Sequence, residues 1–290
     1  MACGIIEVSV VLPCRNGERF IARQLTALAL QDFRQPWELV IADNGSSDGT
    51  LAIVEGFSPK IQRLRIIDAS DVTGAAHARN AGVKAAVGRN IAFCDHDDEV
   101  APGWLSAMVS ALEEHRFVTA TLRTERLNAP WMRTQDETDT IRNTDPPFLP
   151  YAPSASLAIQ RSLHVAIGGY DEAFQGASED KDYCYRVQLR GEKLTLVPDA
   201  LIDYQLRDTL RGMYLQTRSY GFGNVQLYVK HRHAGMRKPS QLRAVRTWLL
   251  LLLRLVISLH TKKARAQWFR RAGWKVGRLR GSIHCRVLAL

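Results

Sequence analysis

Short apolar runs alternate with amphipathic stretches over the first two thirds of the chain. The predicted strands cover residues 8–13, 37–43, 64–70 and 90–100, and the predicted helices cover 17–31, 74–87 and 102–115. The first run, VSVVLP, is continuously apolar, as expected of a strand that is covered on both faces. The alternation of strands and helices predicts an α/β domain built around a largely parallel sheet.

The pattern weakens after the third of these helices. Residues 123–152 form a long polar segment without a clear period, which is typical either of a functional loop or of disorder. Order then returns, with a helix predicted over residues 178–191 and a further strand over 193–204.

The distribution of charge divides the chain at residue 208. The protein has 290 residues and a formal net charge of +10, yet residues 209–290 contain 18 Lys and Arg and no Asp or Glu. We therefore predict a main domain over residues 1–208 and a basic helical region over 209–290. A segment this basic indicates an anionic partner, such as lipid, nucleic acid or a phosphorylated substrate.

Residues 247–260 of the basic region form a strongly apolar run. About 20 apolar residues are needed to span a bilayer, and Arg254 interrupts this shorter run. With its basic flanks and the nearby Trp248 and Trp268, the run is typical of an interfacial helix. We therefore expect residues 240–290 to bind an anionic membrane surface. The alternative is a helix packed on the main domain with a solvated basic face.

The cysteines and the N-terminus bear on location. Five cysteines are scattered along the chain without the spacing of a zinc site, which favours a reducing cytosol over secretion. The first residues lack the basic segment of a signal peptide. The expected location is therefore cytoplasmic, and peripheral on the cytoplasmic face of the membrane.

Four polar clusters lie just after predicted strands or at the start of a predicted helix. They cover Pro13–Glu18, Asp43–Gly49, Asp95–Asp98 and Glu179–Asp182. Ligands of open α/β sheets bind outside the carboxyl ends of the strands, so these clusters are candidates for one shared site. Asp43 ends an apolar strand, where its carboxylate can accept hydrogen bonds from a base or a ribose. Asp48 is compatible with such a role or with that of a helix N-cap.

The third cluster points to a divalent cation. Asp95, Asp97 and Asp98 are three carboxylates in four residues, and they repel one another unless a cation lies between them. Oxygen ligands at a turn suit Mg²⁺ or Mn²⁺. The alternative is a solvated acidic turn, and His96 is expected to be outward-facing or structural.

Acids at the start of a helix, as in the fourth cluster, are stabilised by the helix dipole whatever their function.

Taken in order, these segments resemble the inverting family 2 glycosyltransferases, which have the GT-A fold. The resemblance rests on VSVVLPCRNGE, ELVIADNGSSDGT, GAAHARNAGVKAA, IAFCDHDDEVAPGWL and GGYDEAFQGASEDKDYCYRVQLRG, and it spans about residues 6–205. It implies a Rossmann-like nucleotide-binding domain with a mixed, mainly parallel sheet flanked by helices. The basic helical region is then a C-terminal extension.

The resemblance assigns roles to individual residues. A nucleotide-diphosphate sugar is the implied donor. The residues implied around its base and ribose are Pro13, Arg15, Asn16, Glu18 and Asp43. Arg79 and Asn80 match an element near the nucleotide sugar. Asp95-His96-Asp97 matches the DxD motif, with Asp97 as a ligand of Mg²⁺ or Mn²⁺ and Asp95 directed towards the ribose and available as a second ligand.

The ED motif of the family falls on Glu179 and Asp180, with Asp180 as the catalytic base. A loop on the acceptor side matches Gly168, Gly169 and Tyr170. The resemblance therefore places base, metal and donor in one site.

Two positions depart from the family pattern. Asn44 stands where an Asp is common, and no His follows the last strand of this region near the metal. Either Asp203 takes the place of that His, or the metal has one protein ligand fewer. Three arginines after this strand are candidates for positive charge near the diphosphate, or belong to a membrane-facing surface: Arg207, Arg211 and Arg218.

These assignments predict a metal-dependent, inverting glycosyltransferase. Its default donor is a UDP-sugar, and its expected acceptor is a lipid-linked or cell-surface glycan at the membrane. One alternative is a soluble glycosyltransferase that acts on a small molecule or a protein. The other is a nucleic-acid-binding protein that uses the basic tail. No nucleic acid partner is expected, because no recognisable nucleic-acid module is present.

Overall fold

The computed structural model describes residues 5–133, 140–174, 176–255, 258 and 260–290. Its strands are β1 (Val8–Cys14), β2 (Trp37–Asp43), β3 (Leu64–Asp68), β4 (Asn90–Phe93), β5 (Glu99–Val100), β6 (Phe117–Arg123), β7 (Leu157–Gln160) and β8 (Thr195–Asp203). Its helices are α1 (Ile21–Ala29), α2 (Thr50–Glu55), α3 (Ala75–Ala85), α4 (Trp104–Glu114), α5 (Arg161–Ala166), α6 (Glu179–Gln188), α7 (Leu210–His231), α8 (Gln241–Leu253) and α9 (Lys262–His284). Among the residues described, no strand lies between the last three helices.

Within the described ranges, the strands form one eight-stranded sheet in the order β3-β2-β1-β4-β7-β6-β8-β5. The strands β3, β2, β1 and β4 run parallel, β7 is antiparallel to both of its neighbours, and β6 pairs parallel with β8. The predicted mixed, mainly parallel sheet flanked by helices is therefore confirmed. Because β1, β2 and β4 are parallel neighbours, the loops that follow them leave the same edge of the sheet.

The sheet is buried on both faces, as its apolar first strand predicts. Every residue of β1 is buried. Leu25 of α1 and Trp104 of α4 belong to the core on one face, and Val83 of α3 and Tyr183 of α6 belong to the core on the other. Burial of apolar surface from both sides fixes the positions of the strand ends.

The sequence pattern misses β6, which lies between α4 and the predicted polar loop. Alternate residues of β6 belong to the core, but the threonines between them make the run look polar. Thr119 is nevertheless fully buried, and its hydroxyl is satisfied there by a hydrogen bond of 2.9 Å with the hydroxyl of Ser156. The polar loop predicted over 123–152 follows this strand, and residues 134–139 lie outside the described ranges.

The basic C-terminal region folds into α7, α8 and α9. The helices α7 and α9 lie close together because glycines occupy their contact, and a Cβ atom at Gly277 would collide with the backbone carbonyl of Arg218. Two of the three helices of the tail are therefore packed closely against each other. None of the helices described here is long and apolar enough to cross a membrane.

The helix α8 covers the first part of the predicted interfacial run. Val256, Ile257 and Leu259 of that run lie outside the described residues. Leu251 is buried against α9, where the Trp268 indole donates to its carbonyl at 3.0 Å. The outer face of α8 carries five apolar side chains that are 57–85% exposed, with Arg246 exposed beside them: Leu242, Val245, Leu249, Leu252 and Leu253. One side of α8 is thus packed and the other is apolar and exposed.

A buried carboxylate joins α6 to α7. Asp182 Oδ1 lies 2.7 Å from Lys230 Nζ and 2.8 Å from His231 Nε2, and Arg186 Nε donates to Oδ2 at 2.7 Å. Burial alone would raise the pKa of Asp182, but these three partners lower it to about 2. The start of α6 is thereby fixed to the C-terminal helices.

Candidate active site

The loops after β1 and β2 are joined side by side at the carboxyl edge of the sheet. The backbone N–H of Asn16 donates to Ser46 Oγ at 3.0 Å, and the Asn16 side chain accepts from the backbone N–H of Ser47 at 2.8 Å. The carboxylate of Glu18 accepts from the backbone N–H of Gly49 at 3.1 Å. The two loops therefore form one surface, and the side chains of Asn16 and Glu18 hold it together.

Asp43 and Asn44 lie at the base of this surface. Asp43 is buried and accepts from the backbone N–H of Ser46 at 3.1 Å. The Asn44 side chain donates to the carbonyl of Val72 at 2.8 Å and accepts from the backbone N–H of Gly74 at 2.8 Å. This pair of bonds needs an amide, because a carboxylate has no N–H to donate. The Asn at position 44 thus fixes the segment that leads into α3.

The turn after β4 carries three close carboxylates. Oxygens of Asp95, Asp97 and Asp98 lie within 4.8 Å of one another. The backbone N–H of Gln205 donates to Asp98 Oδ1 at 2.8 Å, whereas Asp98 Oδ2 is buried and has no hydrogen-bond partner among the described residues. Burial, and then repulsion from Asp97 and Asp95, raises the pKa of Asp98 well above its usual range. An unpartnered oxygen beside two further carboxylates fits a divalent cation.

Arg79 of α3 joins this turn to α6. Its guanidinium lies 2.7 Å from Asp95 Oδ1 and 3.2 Å from Glu179 Oε1, and the residue is 4% exposed. Burial disfavours the charge, but Asp95, Tyr170 and Glu179 outweigh it and raise the pKa of Arg79 above its ordinary value. The neighbouring Asn80 instead bonds the backbone of Tyr170, donating to its carbonyl at 2.9 Å and accepting from its N–H at 2.8 Å. Asn80 therefore holds the loop that matches the acceptor side.

Glu179 and Asp180 open α6. The Glu179 side chain is 14% exposed, and burial together with the neighbouring Asp180 raises its pKa to about 7, although Arg79 acts in the opposite direction. Asp180 is half-buried and lines a cavity. A carboxylate in a cavity wall is placed to accept a proton from a ligand hydroxyl. Glu179, in contrast, is engaged by Arg79.

The end of β8 and the residues after it bear on the two alternatives for the absent histidine. Asp203 accepts from two arginines of β6 and the following turn, at 2.8 and 2.7 Å, and it is not part of the carboxylate cluster. Arg207 instead reaches the cluster, with its guanidinium 3.1 Å from Asp97 Oδ2. Arg211 is exposed, and Arg218 lies over a tyrosine ring of its own helix. The arrangement fits the alternative with one protein ligand fewer.

A cavity of about 1740 Å³ runs from the acidic turn to the C-terminal helices. Its catalytic end is lined by Arg79, Asp95, Glu179, Asp180 and Arg207. Its other walls come from α7, α8, α9 and from part of the predicted polar loop, including Asp145 and Tyr151. A single small ligand usually occupies about 300–1,000 Å³, so this cavity has room for two substrates.

The sequence model of glycosyl transferase family 2 matches residues 9–170, which is more than half of the chain. This chain belongs to glycosyl transferase family 2. The joined loops and the acidic turn lie within the matched residues. The ED pair and the C-terminal helices lie beyond them.

This family 2 protein is similar to two named relatives. It is 26% identical over 257 residues to the pre-mycofactocin glycosyltransferase of Mycobacterium tuberculosis, over 84% of this chain and 52% of that protein. The chain thus spans about half the length of that relative. It is 30% identical over 125 residues to the poly(ribitol-phosphate) β-N-acetylglucosaminyltransferase TarS of Staphylococcus aureus, over 43% of this chain and 22% of TarS.

Two solved structures share the fold. TarS 1–349 in complex with UDP-GlcNAc matches with a TM-score of 0.59 at 16% identity, over 98% of this chain and 93% of that one. The mannosyltransferase PcManGT from Pyrobaculum calidifontis, in complex with GDP-Man and Mn²⁺, matches with a TM-score of 0.68 at 19% identity. The match covers 95% of this chain and 86% of that one. The predicted GT-A fold is therefore confirmed.

The structure gathers part of the predicted site in the cavity and leaves part beside it. The residues predicted around base and ribose lie at the same sheet edge but do not line the cavity: Pro13, Arg15, Asn16, Glu18 and Asp43. His96 lies against Gly17 rather than within the carboxylate cluster. Lys181 also lines the cavity. This position could not be predicted from the sequence, because a lysine between acids is typical of an exposed ion pair.

Replacing Glu179 with Gln is expected to remove a pH dependence of stability. The pKa of Glu179 is 4.5 in the unfolded chain and about 7 in the folded protein, so the folded protein holds the proton more tightly and stability falls as pH rises between these values. At pH 8 we expect Glu179→Gln to raise the free energy of unfolding by up to about 3 kcal/mol, with little change at pH 4. Denaturant unfolding from pH 4 to 8 measures this.

The control for that experiment is Glu113→Gln, a change at an exposed position of α4. A stability difference between wild type and Glu179→Gln that stays constant with pH would contradict the assigned pKa.

Proposed function

We propose that this protein is a metal-dependent, inverting glycosyltransferase. It transfers a sugar from a nucleotide-diphosphate sugar, by default a UDP-sugar, to a hydroxyl of a lipid-linked or cell-surface glycan. The observation that carries this proposal is the junction of the acidic turn with the ED pair through Arg79, at one end of a cavity. Family membership supports the reaction class, and the two structural neighbours are complexes with nucleotide sugars.

Inversion at the anomeric carbon needs a base on one side and a leaving group on the other. Asp180 is the base, because it stands in the cavity wall at the start of α6. It takes the proton of the acceptor hydroxyl as that oxygen bonds to the anomeric carbon. The electron pair of the broken bond leaves with the nucleoside diphosphate, so no covalent intermediate with the protein forms. Glu179, held by Arg79, positions Asp180.

The donor nucleotide is assigned to the surface formed by the loops after β1 and β2. Its base and ribose are placed near the five residues predicted for them, which include the buried carboxylate of Asp43. Arg79 and Asn80 of α3 lie between this surface and the acceptor side.

Asp97 and Asp95 are assigned to hold Mg²⁺ or Mn²⁺, with the unpartnered oxygen of Asp98 beside them. A divalent cation bound there supplies positive charge that offsets the charge on the departing diphosphate. The Mn²⁺ in the PcManGT complex supports the choice of ion.

The acceptor and the location are inferred from the C-terminal helices. The exposed apolar face of α8 lies in a region with 18 basic residues and no acids, which suits a peripheral position on an anionic membrane. The four described cysteines are free thiols, as suits the reducing cytoplasmic side. TarS is named as acting on poly(ribitol-phosphate), which supports a glycan acceptor. We assign catalysis to residues 1–208 and membrane contact to 209–290.

Asp97→Asn is expected to weaken metal-dependent nucleotide binding. Calorimetric titration with UDP, GDP, dTDP and CDP, each with and without Mn²⁺, should find one diphosphate whose binding needs the metal. Loss of a ligand carboxylate should weaken that binding by about tenfold or more. Asp199→Asn, at an exposed position of β8, is the matched control. Failure of all four diphosphates to bind, with or without Mn²⁺, would count against a working transferase.

Asp180→Asn is expected to lower the transfer rate by about 10² to 10⁴ while nucleotide binding stays within about twofold of wild type, because only proton transfer is lost. Release of nucleoside diphosphate from the donor, with a membrane extract as the source of acceptor, measures the rate. Asp199→Asn again serves as the control. Normal turnover by Asp180→Asn would remove this residue from the mechanism.

Leu249→Glu with Leu252→Glu is expected to reduce binding to vesicles that contain anionic lipid, because both side chains lie on the exposed face of α8. Flotation of the full chain with such vesicles measures the bound fraction. Leu30→Glu, at a position of the main domain that is 73% exposed, should float like wild type. If wild type itself does not float, the soluble alternative is favoured.

A further inference from the structure

The cavity wall beyond the catalytic carboxylates is strongly basic. Ten Lys and Arg side chains line this part of the cavity, against a single Asp or Glu side chain, that of Asp145, among the described residues. Asp145 is itself paired with Arg243 at 2.7 Å. A cavity lined by charge of one sign concentrates ligands of the opposite sign. The wall therefore selects for an anion.

Lys181 lies where this wall meets the catalytic end, next to Asp180 in the chain. It is 7% exposed, and its ammonium lies 4.8 Å from the ring centre of Tyr151, 5.7 Å from that of Tyr220 and 5.8 Å from that of Trp274. No carboxylate in the described ranges forms an ion pair with it. Aromatic faces attract an ammonium group, but a buried charge ordinarily has a partner of opposite charge. Among the residues that the structure describes, this cation is therefore surrounded by aromatic rings and has no carboxylate partner.

Two further cations lie one helical turn apart on α9. The Lys275 ammonium donates to the Thr247 hydroxyl and lies 5.4 Å from the ring centre of Trp248. Arg278 is 9% exposed and donates through Nε and Nη2 to the carbonyl of Ala289, at 3.0 and 2.8 Å. Burial lowers the pKa of Lys275 and lowers that of Arg278 to about 10. In the part of the chain that is described, neither forms an ion pair with a carboxylate.

We propose that this part of the cavity binds a phosphate group of the acceptor, with Lys181, Lys275 and Arg278 as its cationic contacts. The inference rests on the proposed transferase function and specifies its substrate class. A phosphate held near Lys181 brings a hydroxyl of the same molecule close to Asp180, the proposed base, because the two residues are adjacent at the start of α6.

A phosphate suits these groups better than a neutral sugar does. Hydrogen bonds from Lys and Arg to phosphate are charge-assisted, and one phosphate offers several acceptor oxygens to several cations. The helix α8 contributes Leu250 and Leu251 to the cavity while its outer face is apolar and exposed. Both a lipid phosphate and a water-soluble phosphate ester are compatible with these surroundings.

The test uses the full chain with UDP and Mn²⁺ at saturation, so that the donor site is filled. The probes are farnesyl phosphate and ribitol 5-phosphate, each compared with its phosphate-free alcohol, and binding is measured by calorimetry. We expect at least one phosphate to bind while its alcohol does not. Binding of the farnesyl probe alone identifies a lipid phosphate, and binding of the ribitol probe alone identifies a soluble ester.

Lys275→Met and Lys181→Met should each weaken phosphate binding by about tenfold or more, since each removes a charge-assisted contact. Lys275→Arg should keep most of the affinity. Lys263→Met is the matched control, because Lys263 is exposed at the start of the same helix and does not line the cavity. Thermal unfolding and UDP affinity report whether each variant remains folded.

Equal binding of a phosphate and its alcohol would overturn the proposal. Phosphate affinity that is unchanged in both Lys275→Met and Lys181→Met would also overturn it. So would a loss of UDP affinity in Lys275→Met as large as its loss of affinity for the phosphate probe. If the phosphate probes bind and respond to these variants but UDP does not bind, the phosphate site stands and the transferase function fails.

Discussion

A single buried guanidinium connects the two halves of the site. Arg79 bonds Asp95 after β4 and Glu179 at the start of α6, and no solvent competes for it because the residue is 4% exposed. Without this cation, the carboxylates of the turn and of the ED pair would repel one another in a low-dielectric environment. The position of the proposed base relative to the donor side therefore depends on α3 as much as on α6.

The C-terminal helices are structurally part of this site. Asp182 anchors α6 to α7 through Lys230 and His231, and α7 in turn packs closely against α9. Lys181, between the proposed base and this anchor, is surrounded by rings from α7, α9 and the loop before β7. One turn of α6 thus carries the proposed base, a cavity cation and a structural carboxylate.

The parts of the fold that depend on local pattern could be predicted from the sequence. The parallel strands and the acidic turn follow from apolar runs that end in carboxylates, and the structure has both. β6 could not be predicted in this way, because the partner that buries Thr119 is Ser156, 37 residues away. The close packing of α9 on α7 could not be predicted from local pattern either. Gly221 and Gly277 suggest a weak helix, whereas in the structure they permit close approach of two helices. The domain boundary and the roles of individual site residues remain predictions.

Two of the arginines that contact the acidic turn, Arg79 and Arg207, differ in exposure, and this difference bears on the assignment of the metal ligands. Arg79 is enclosed and bonded to two carboxylates, so its contact with Asp95 is fixed. The Arg207 side chain is 51% exposed and contacts Asp97 at 3.1 Å. The Asp97 side chain is only 10% exposed, so this ion pair joins a buried carboxylate to an arginine that extends from solvent. The proposed assignment of Asp97 as the principal metal ligand is consistent with this difference, because the cationic partner of Asp95 is enclosed whereas that of Asp97 is not.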